Sequence, residues 1–169
     1  MAKQRTAVQM SDEEIWAFIA EQRDMHVATI NKDGTPQLTT NWFAILEGDL
    51  VFNSYQTSQK MVNLRRDPRI TVIFAGGLFY NELRGVSVKG TVEFADDPVE
   101  NQRMMQAIQD RNYAYTSIRP ENAVSAPASD ETEEVKKRLS EKAEQVGNKR
   151  VSVRIKPIRF ITWDHSKLA

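Results

Sequence analysis

The chain has 169 residues, 40% of them hydrophobic, and its 23 basic residues balance 23 acidic ones. That length suits a single domain around one core, residues 1–169. It has no cysteine, which excludes disulfides, thiolate metal sites, iron–sulfur clusters and cysteine catalysis. No apolar run approaches the ~20 residues of a membrane helix, and a net charge of zero argues against a nucleic-acid-binding face. The opening MAKQRTAVQM lacks the apolar core of a signal peptide, so a cytoplasmic protein with no membrane or nucleic-acid partner is expected.

The first element is a helix within residues 10–24. Ser11-Asp12-Glu13-Glu14 reads as a capping box, and Ile15, Phe18 and Ile19 follow at helical spacing. His26–Ile30 reads as a strand and Asn31–Pro36 as a turn, because Asp33-Gly34 supplies the positive φ of a tight hairpin. Gln37–Leu46 is the return strand, Glu47-Gly48-Asp49 the next turn, and Leu50–Ser54 and Arg69–Ala75 two further strands. Gly85–Phe94 alternates cleanly, with Val86, Val88, Val92 and Phe94 on one face, as in a half-buried antiparallel strand. Asp96-Asp97-Pro98 opens a helix to about Gln109. Residues 110–148 are expected to be a loop–helix insertion, loop to about Asp130 and a charged helix over Glu131–Gln145, ended by Gly147. Arg150–Asp164 closes the chain as a strand interrupted at Pro157. Six or seven hairpin-linked strands with a few helices favour a mainly β fold with an antiparallel sheet closed toward a barrel.

The chemistry concentrates in SYQTSQKMVNLRRDPRITV, Ser54 to Val72. A short helix after a strand offers unpaired N–H groups and a partial positive charge at its start, where a phosphate can sit. Thr57 and Ser58 add hydroxyl donors there and Lys60 a mobile cation. The bland alternative is a capped surface helix, since Ser and Thr are ordinary caps. Arg65 and Arg66, further along, fit solvent or the helix C-terminus better than a ligand. His26 and His165 lack metal-ligand spacing.

The order of helix, VATINKDGTPQLTTNWF, the S-x-K-x-x-N-L-x-x-D-P run (Ser58, Lys60, Asn63, Leu64, Asp67, Pro68), GVSVKGTVEF and a terminal ITWD resembles the pyridoxamine 5'-phosphate oxidase-like flavin-binding split barrels from about Ser11 to Asp164. Within them it is most similar to the branch of small oxidoreductases that use coenzyme F-420 or FMN. The resemblance implies a six- to seven-stranded antiparallel split β-barrel with peripheral helices, homodimeric, with the cofactor in a groove shared between protomers. It implies that Gln37, Thr39, Thr40, Asn41 and Trp42 lie along the ring, with Asn53, Ser54, Thr57, Ser58, Lys60 and Asn63 toward the phosphate. Alternation splits Thr39 and Asn41 from Thr40 and Trp42, and Trp42 has a second reading as a core residue. Tyr80, Arg84, Lys89 and Trp163 are the candidates from the second protomer.

The implied activity is hydride transfer between the cofactor ring and a small organic substrate, with no catalytic side chain assigned, since the cofactor carries that chemistry. TSQK followed by NLRRDPR is closer to the F-420 branch, so coenzyme F-420 is favoured, with FMN the alternative. A non-catalytic flavin carrier shares the same signature. Haem binding would require His26 or His165 as the axial ligand.

Overall fold

The computed structural model describes residues 6–95, 97–117 and 149–168. Helix α1 (Asp12–Glu21) is followed by strands β1 (Asp24–Ile30), β2 (Pro36–Trp42), β3 (Ala44–Leu46) and β4 (Asp49–Tyr55). Then come helix α2 (Gln59–Arg66), β5 (Arg69–Gly76), a 3-10 turn (Tyr80–Glu82), β6 (Arg84–Phe94), helix α3 (Pro98–Ser117) and β7 (Arg150–Asp164). The capping box at α1 is present on both sides: Ser11 N–H donates to Glu14 Oε2 (2.7 Å) and Glu14 N–H to Ser11 Oγ (3.3 Å). The first hairpin turns on Gly34 at φ 86°, which suits glycine.

The seven strands form one antiparallel sheet in the order β2-β1-β5-β6-β7-β4-β3. β2 and β3 are opposite edges of that sheet, yet only Phe43 separates them in the chain. Consecutive Cα atoms lie ~3.8 Å apart, so the sheet must curl until its edges meet. Gln37–Leu46, expected as one strand, is therefore two strands around a corner. Phe43 plugs that corner, buried edge-on against Phe74 at 4.9 Å between ring centroids.

The barrel interior holds Met25, Val27, Phe52, Val72, Phe74, Val88 and Val153, closed by Ile15, Phe18 and Ile19 of α1 and Met61 and Leu64 of α2. Each such buried side chain is worth roughly 1.5–3 kcal/mol. β4 does not alternate because both its faces are covered. Leu50 and Phe52 point into the barrel, and Val51 packs outward with Ala44 against Met104 and Ile108 of α3.

Two further expectations are corrected. α3 runs to Ser117, past the expected end near Gln109. Arg111 explains the extension: its guanidinium donates to the carbonyls of Ala20 (2.8 Å) and Gln22 (2.7 Å) at the end of α1. The helix is held there by a polar dock that no apolar periodicity announces. The remainder of the expected insertion, residues 118–148, lies outside the described residues. β7 is also continuous, with a bulge where a break was expected. Lys89 pairs with Arg159 and Gly90 with Pro157, which leaves Ile158 as the extra residue.

Candidate functional site

The polar stretch before α2 and the inward face of β2 meet at one place. Burial along β2 alternates, with Gln37, Thr39 and Asn41 half-buried and Leu38, Thr40 and Trp42 exposed. The half-buried row faces α2. Lys60 Nζ donates to Asn41 Oδ1 (2.8 Å), Thr39 Oγ1 donates to the same oxygen (3.3 Å), and Asn41 Nδ2 donates to the carbonyl of Asn53 on β4 (3.2 Å). This last bond crosses from one sheet edge toward the other and closes the barrel at the site.

Ser58 is the N-cap of α2, but its side chain caps no backbone N–H; its hydroxyl donates instead to Ser54 Oγ (3.1 Å). The first turn of α2 holds no acidic residue, so its positive end is not neutralised locally. Thr57, exposed, immediately precedes it. Burial first, and then the nearby Arg150 charge, hold the Lys60 ammonium below the ordinary lysine range.

Asn63 is fully buried and serves as a structural hub. Its Nδ2 lies within hydrogen-bond reach of Thr29 Oγ1 (3.0 Å), Asn31 Oδ1 (2.9 Å) and Gln37 Oε1 (3.2 Å), and its Oδ1 accepts from Gln59 Nε2 (2.9 Å). It locks α2 onto β1 and β2 and so aims Lys60. The arginines that follow are engaged with the protein. Arg65 donates to the Gln56 carbonyl (3.0 Å), Arg66 to the Ile30 carbonyl, and Arg69 pairs with Asp67 (2.6 Å). The Arg69 bonds hold the Asp67 carboxyl down at about 2.

Beside this patch lies a cavity of about 370 Å³. Thr40, Asn41, Asn53 and Arg150 give it a polar side, and Trp42, Met105 and Ile108 an apolar one, with Gln109 at the rim. Trp42 is 51% exposed at its mouth and is not a core residue. Sequence reading missed Arg150, Met105, Ile108 and Gln109. Arg150 reaches the site because β7 pairs with β4 in the register Tyr55↔Arg150. The α3 residues reach it because that helix lies on β3 and β4. Neither pairing has a local signature.

Tyr80 and Arg84 are not at this patch within one chain. Arg84 pairs with Glu21 (2.9 Å) and lies over the Phe18 ring, while Tyr80 stacks on His165 at 4.6 Å between centroids. They sit where β5 ends at Gly76, whereas α2 leads into its start at Arg69. Trp163 lies over Gly85, and Lys89 is exposed on β6. His26 faces outward, bonded to Thr40 Oγ1 (3.1 Å). Among the described residues no group of His, Asp or Glu could hold a metal ion.

A curled antiparallel barrel with this helix against its edge strand has a family. The model for pyridoxamine 5'-phosphate oxidase matches residues 11–164. The chain belongs to that family. A conserved hypothetical protein from Mycobacterium tuberculosis is 35% identical, covers 97% of this chain and 91% of its own, and superposes with a TM-score of 0.77. A structure described as an F420 reductase is similar at 22% identity, over 89% of this chain and 98% of that one, with a TM-score of 0.59. HutZ, the haem storage protein from Vibrio cholerae, is similar at 11% identity, over 94% and 99% of the two chains, with a TM-score of 0.59. No curated protein matches the chain. The last two likenesses show the split-barrel fold alone. The family's split-barrel fold is thereby established for this chain, and the choice of cofactor rests on the site.

Proposed function

We propose that this protein is a flavin- or deazaflavin-dependent oxidoreductase, with coenzyme F-420 favoured and FMN the alternative. The observation that carries the reading is the convergence of Lys60, the uncapped start of α2 and the inward face of β2 beside one cavity. The residues fit a ligand with an anionic end and a planar body. Lys60 and the first N–H groups of α2 are placed to receive phosphate oxygens, and Trp42, Met105 and Ile108 offer apolar surface to a ring. When bound, the ring would supply the hydride chemistry with a small organic substrate. The chain's part is to hold and orient it: Asn63 fixes α2, Asn41 fixes the Lys60 ammonium, and Met105 and Ile108 keep water from the apolar wall.

The preference for F-420 rests on the TSQK and NLRRDPR runs. Arg65, Arg66 and Arg69 are bound within the protein, so they do not support that preference through a free charge. Haem is the weaker reading, because neither histidine lines that cavity: His26 is bonded to Thr40 Oγ1, and His165 lies against the Tyr80 ring.

The active form we propose is a homodimer with the groove shared between protomers, to which Tyr80 and Arg84 would contribute across the interface. Leu78, Phe79 and Tyr80, consecutive in the chain, are each more than 60% exposed, an apolar run for a monomer to leave wet. Among the described residues no helix is long and apolar enough to cross a membrane.

The deciding experiment titrates the apo-protein with F-420 and with FMN, read by fluorescence quenching. Tight binding of F-420 alone makes it a deazaflavin enzyme, and tight binding of FMN alone moves it to the flavin branch. Binding of neither sinks the proposal. Sedimentation at micromolar protein tests the dimer, and a monomer there would overturn the shared groove.

A further inference from the structure

Two cations face the site, and only one of them lies in the helix motif. Lys60 Nζ is bound to the amide oxygen of Asn41 at 2.8 Å, and Arg150 Nη1 to the amide oxygen of Asn53 at 2.9 Å. Asn41 and Asn53 are themselves joined, Nδ2 to carbonyl, at 3.2 Å. The four residues form one chain of contacts from α2 through β2 and β4 to β7. The Arg150 guanidinium also lies 4.3 Å from the centroid of the Tyr55 ring, a cation–π contact that helps hold the charged group in place.

Among the described residues neither cation has a carboxylate within ion-pair distance; both partners are neutral amides. Arg154, four residues along the same strand, shows what this protein does with an arginine that is only structural. Its side chain is 12% exposed and is met by Glu100 (2.7 Å), Asp49 (3.2 Å) and Glu47 (3.5 Å). Three carboxylates surround Arg154 and, among the described residues, none meets Arg150, although Arg150 lines the cavity. Arg150 is near enough to Lys60 to disfavour its charge. Two like charges held together with neutral partners are a standing unfavourable term, which an incoming anion removes.

We propose that Arg150 is a second phosphate-binding residue, and that Arg150 and Lys60 together clamp the phosphoryl group of the ligand. Arginine presents a rigid planar fork that takes two phosphate oxygens, and lysine a compact point charge for a third. Asn41 and Asn53 set the spacing and hold both cations in place before the anion arrives. The ligand class follows from the charge: a phosphate ester or diester, in which the tetrahedral group offers oxygens to both sides. The proposal rests on the phosphorylated-cofactor reading for its natural ligand, but the clamp itself can be tested on phosphate chemistry alone.

The test is calorimetric titration of the full chain and of Arg150→Gln with F-420, FMN, riboflavin and inorganic pyrophosphate, with thermal melting to check each fold. Arg150→Met, which keeps a long unbranched side chain without the charge, replaces Arg150→Gln if that variant does not fold. A charge-assisted bond lost from a phosphate predicts that pyrophosphate and the phosphorylated cofactor bind roughly ten- to a hundredfold more weakly. Riboflavin, which has no phosphate, should bind both proteins alike. The double variant with Lys60→Ala should lose less than the sum of the two single losses, because both cations act on one anion.

Wild-type protein that binds neither cofactor but binds pyrophosphate in an Arg150-dependent way supports the clamp and overturns the cofactor reading. Variants that bind cofactor and pyrophosphate as the wild type does overturn the clamp and leave the cofactor reading standing. An equal loss for riboflavin and FMN overturns it too, since the loss then comes from pocket shape. Wild-type protein with no affinity for pyrophosphate does the same.

Discussion

The ammonium of Lys60 donates to the side-chain oxygen of Asn41 across 2.8 Å, joining the first turn of α2 to the inward face of β2. The bond spends a charge on a neutral acceptor, which is a weak use of a cation for stability and a good way to aim one. Lys60→Ala should therefore separate binding from folding. A charge-assisted phosphate contact of roughly 1.5–3 kcal/mol corresponds to about a ten- to hundredfold weaker cofactor. The melting temperature should barely move. Quenching titration and a thermal melt of the same sample measure both, and unchanged affinity would remove Lys60 from the site.

The same residue sets a pH dependence. Burial, then Arg150, lowers the Lys60 pKa. The lysine thus loses its charge before an ordinary lysine would, at about 10.4. Cofactor affinity should fall as pH rises through that depressed value and be steady below it. The stability effect has the opposite sign. Between the folded pKa and the unfolded one the unfolded chain binds more protons, so stability from this group rises with pH there. Dissociation constants measured from pH 7 to 10 on wild type and Lys60→Met check the first effect, and the variant should lack the alkaline decline.

Much of this site is local in sequence, and that part is legible there. The Ser58–Lys60 run announces a helix start, and period-two alternation along β2 is enough to separate Asn41 from Trp42. What is not legible depends on partners distant in the chain. Phe43 looks like one more residue of a strand, and only the sheet order makes it a corner. Arg150 looks like a strand's first polar residue until β7 pairs with β4. Arg111 extends α3 by binding carbonyls about 90 residues away, with nothing apolar to signal it. Asn63 reads as a ligand contact because it belongs to the motif, yet its side chain is occupied by β1, β2 and α2.

That occupancy makes a prediction of its own. An amide carries two N–H donors, and Asn63 Nδ2 serves three acceptors in a fully buried position. Asn63→Ala leaves those oxygens without a donor, at roughly 1–3 kcal/mol. At about 2–4 °C per kcal/mol for a chain this size, Tm should fall by several degrees. Asn63→Asp should be worse at neutral pH, since it sets a buried carboxylate among acceptors, and should recover as acid protonates it. Melts at pH 5 and pH 8 separate the two. An Asp variant as stable as the Ala variant at pH 8 would remove Asn63 as the hub.

The Asp67–Arg69 pair gives an acid-side prediction. The bonds from the Arg69 guanidinium and backbone N–H lower the Asp67 pKa to about 2, from an ordinary value near 3.8. A depressed carboxyl contributes stability above its unfolded pKa and loses it as pH falls toward the folded one. The contribution is therefore complete at pH 6 and fades between about pH 4 and pH 2. Asp67→Asn should lower Tm at pH 6 and match the wild type near pH 2. A difference that persists unchanged at pH 2 would assign the effect to something other than this charge.

Gly90 stands opposite the bulge in β7, and its missing side chain is what lets the two strands stay paired there. A Cβ on Gly90 would lie 2.2 Å from the carbonyl oxygen of Lys156 and 3.3 Å from Pro157 Cα. Both are backbone atoms of the central pairing between β6 and β7, so neither can swing aside as a side chain would. Gly34 is the natural contrast. It sits at φ 86° with nothing within 4 Å of a built Cβ, so Gly34→Ala meets only the left-handed penalty, roughly 1–2 kcal/mol. Gly90→Ala must shift a strand, and overpacking of this kind costs typically about 1–3 kcal/mol and occasionally more. Because β7 also carries Arg150 to the cavity, the shift should reach ligand binding as well as stability. Gly90→Ala should thus lower Tm at least as far as Gly34→Ala and weaken binding of the phosphorylated cofactor, whereas Gly34→Ala leaves affinity untouched. If melting and titration of the pair show Gly90→Ala to be the milder change, the close approach at the bulge is not what holds β6 to β7.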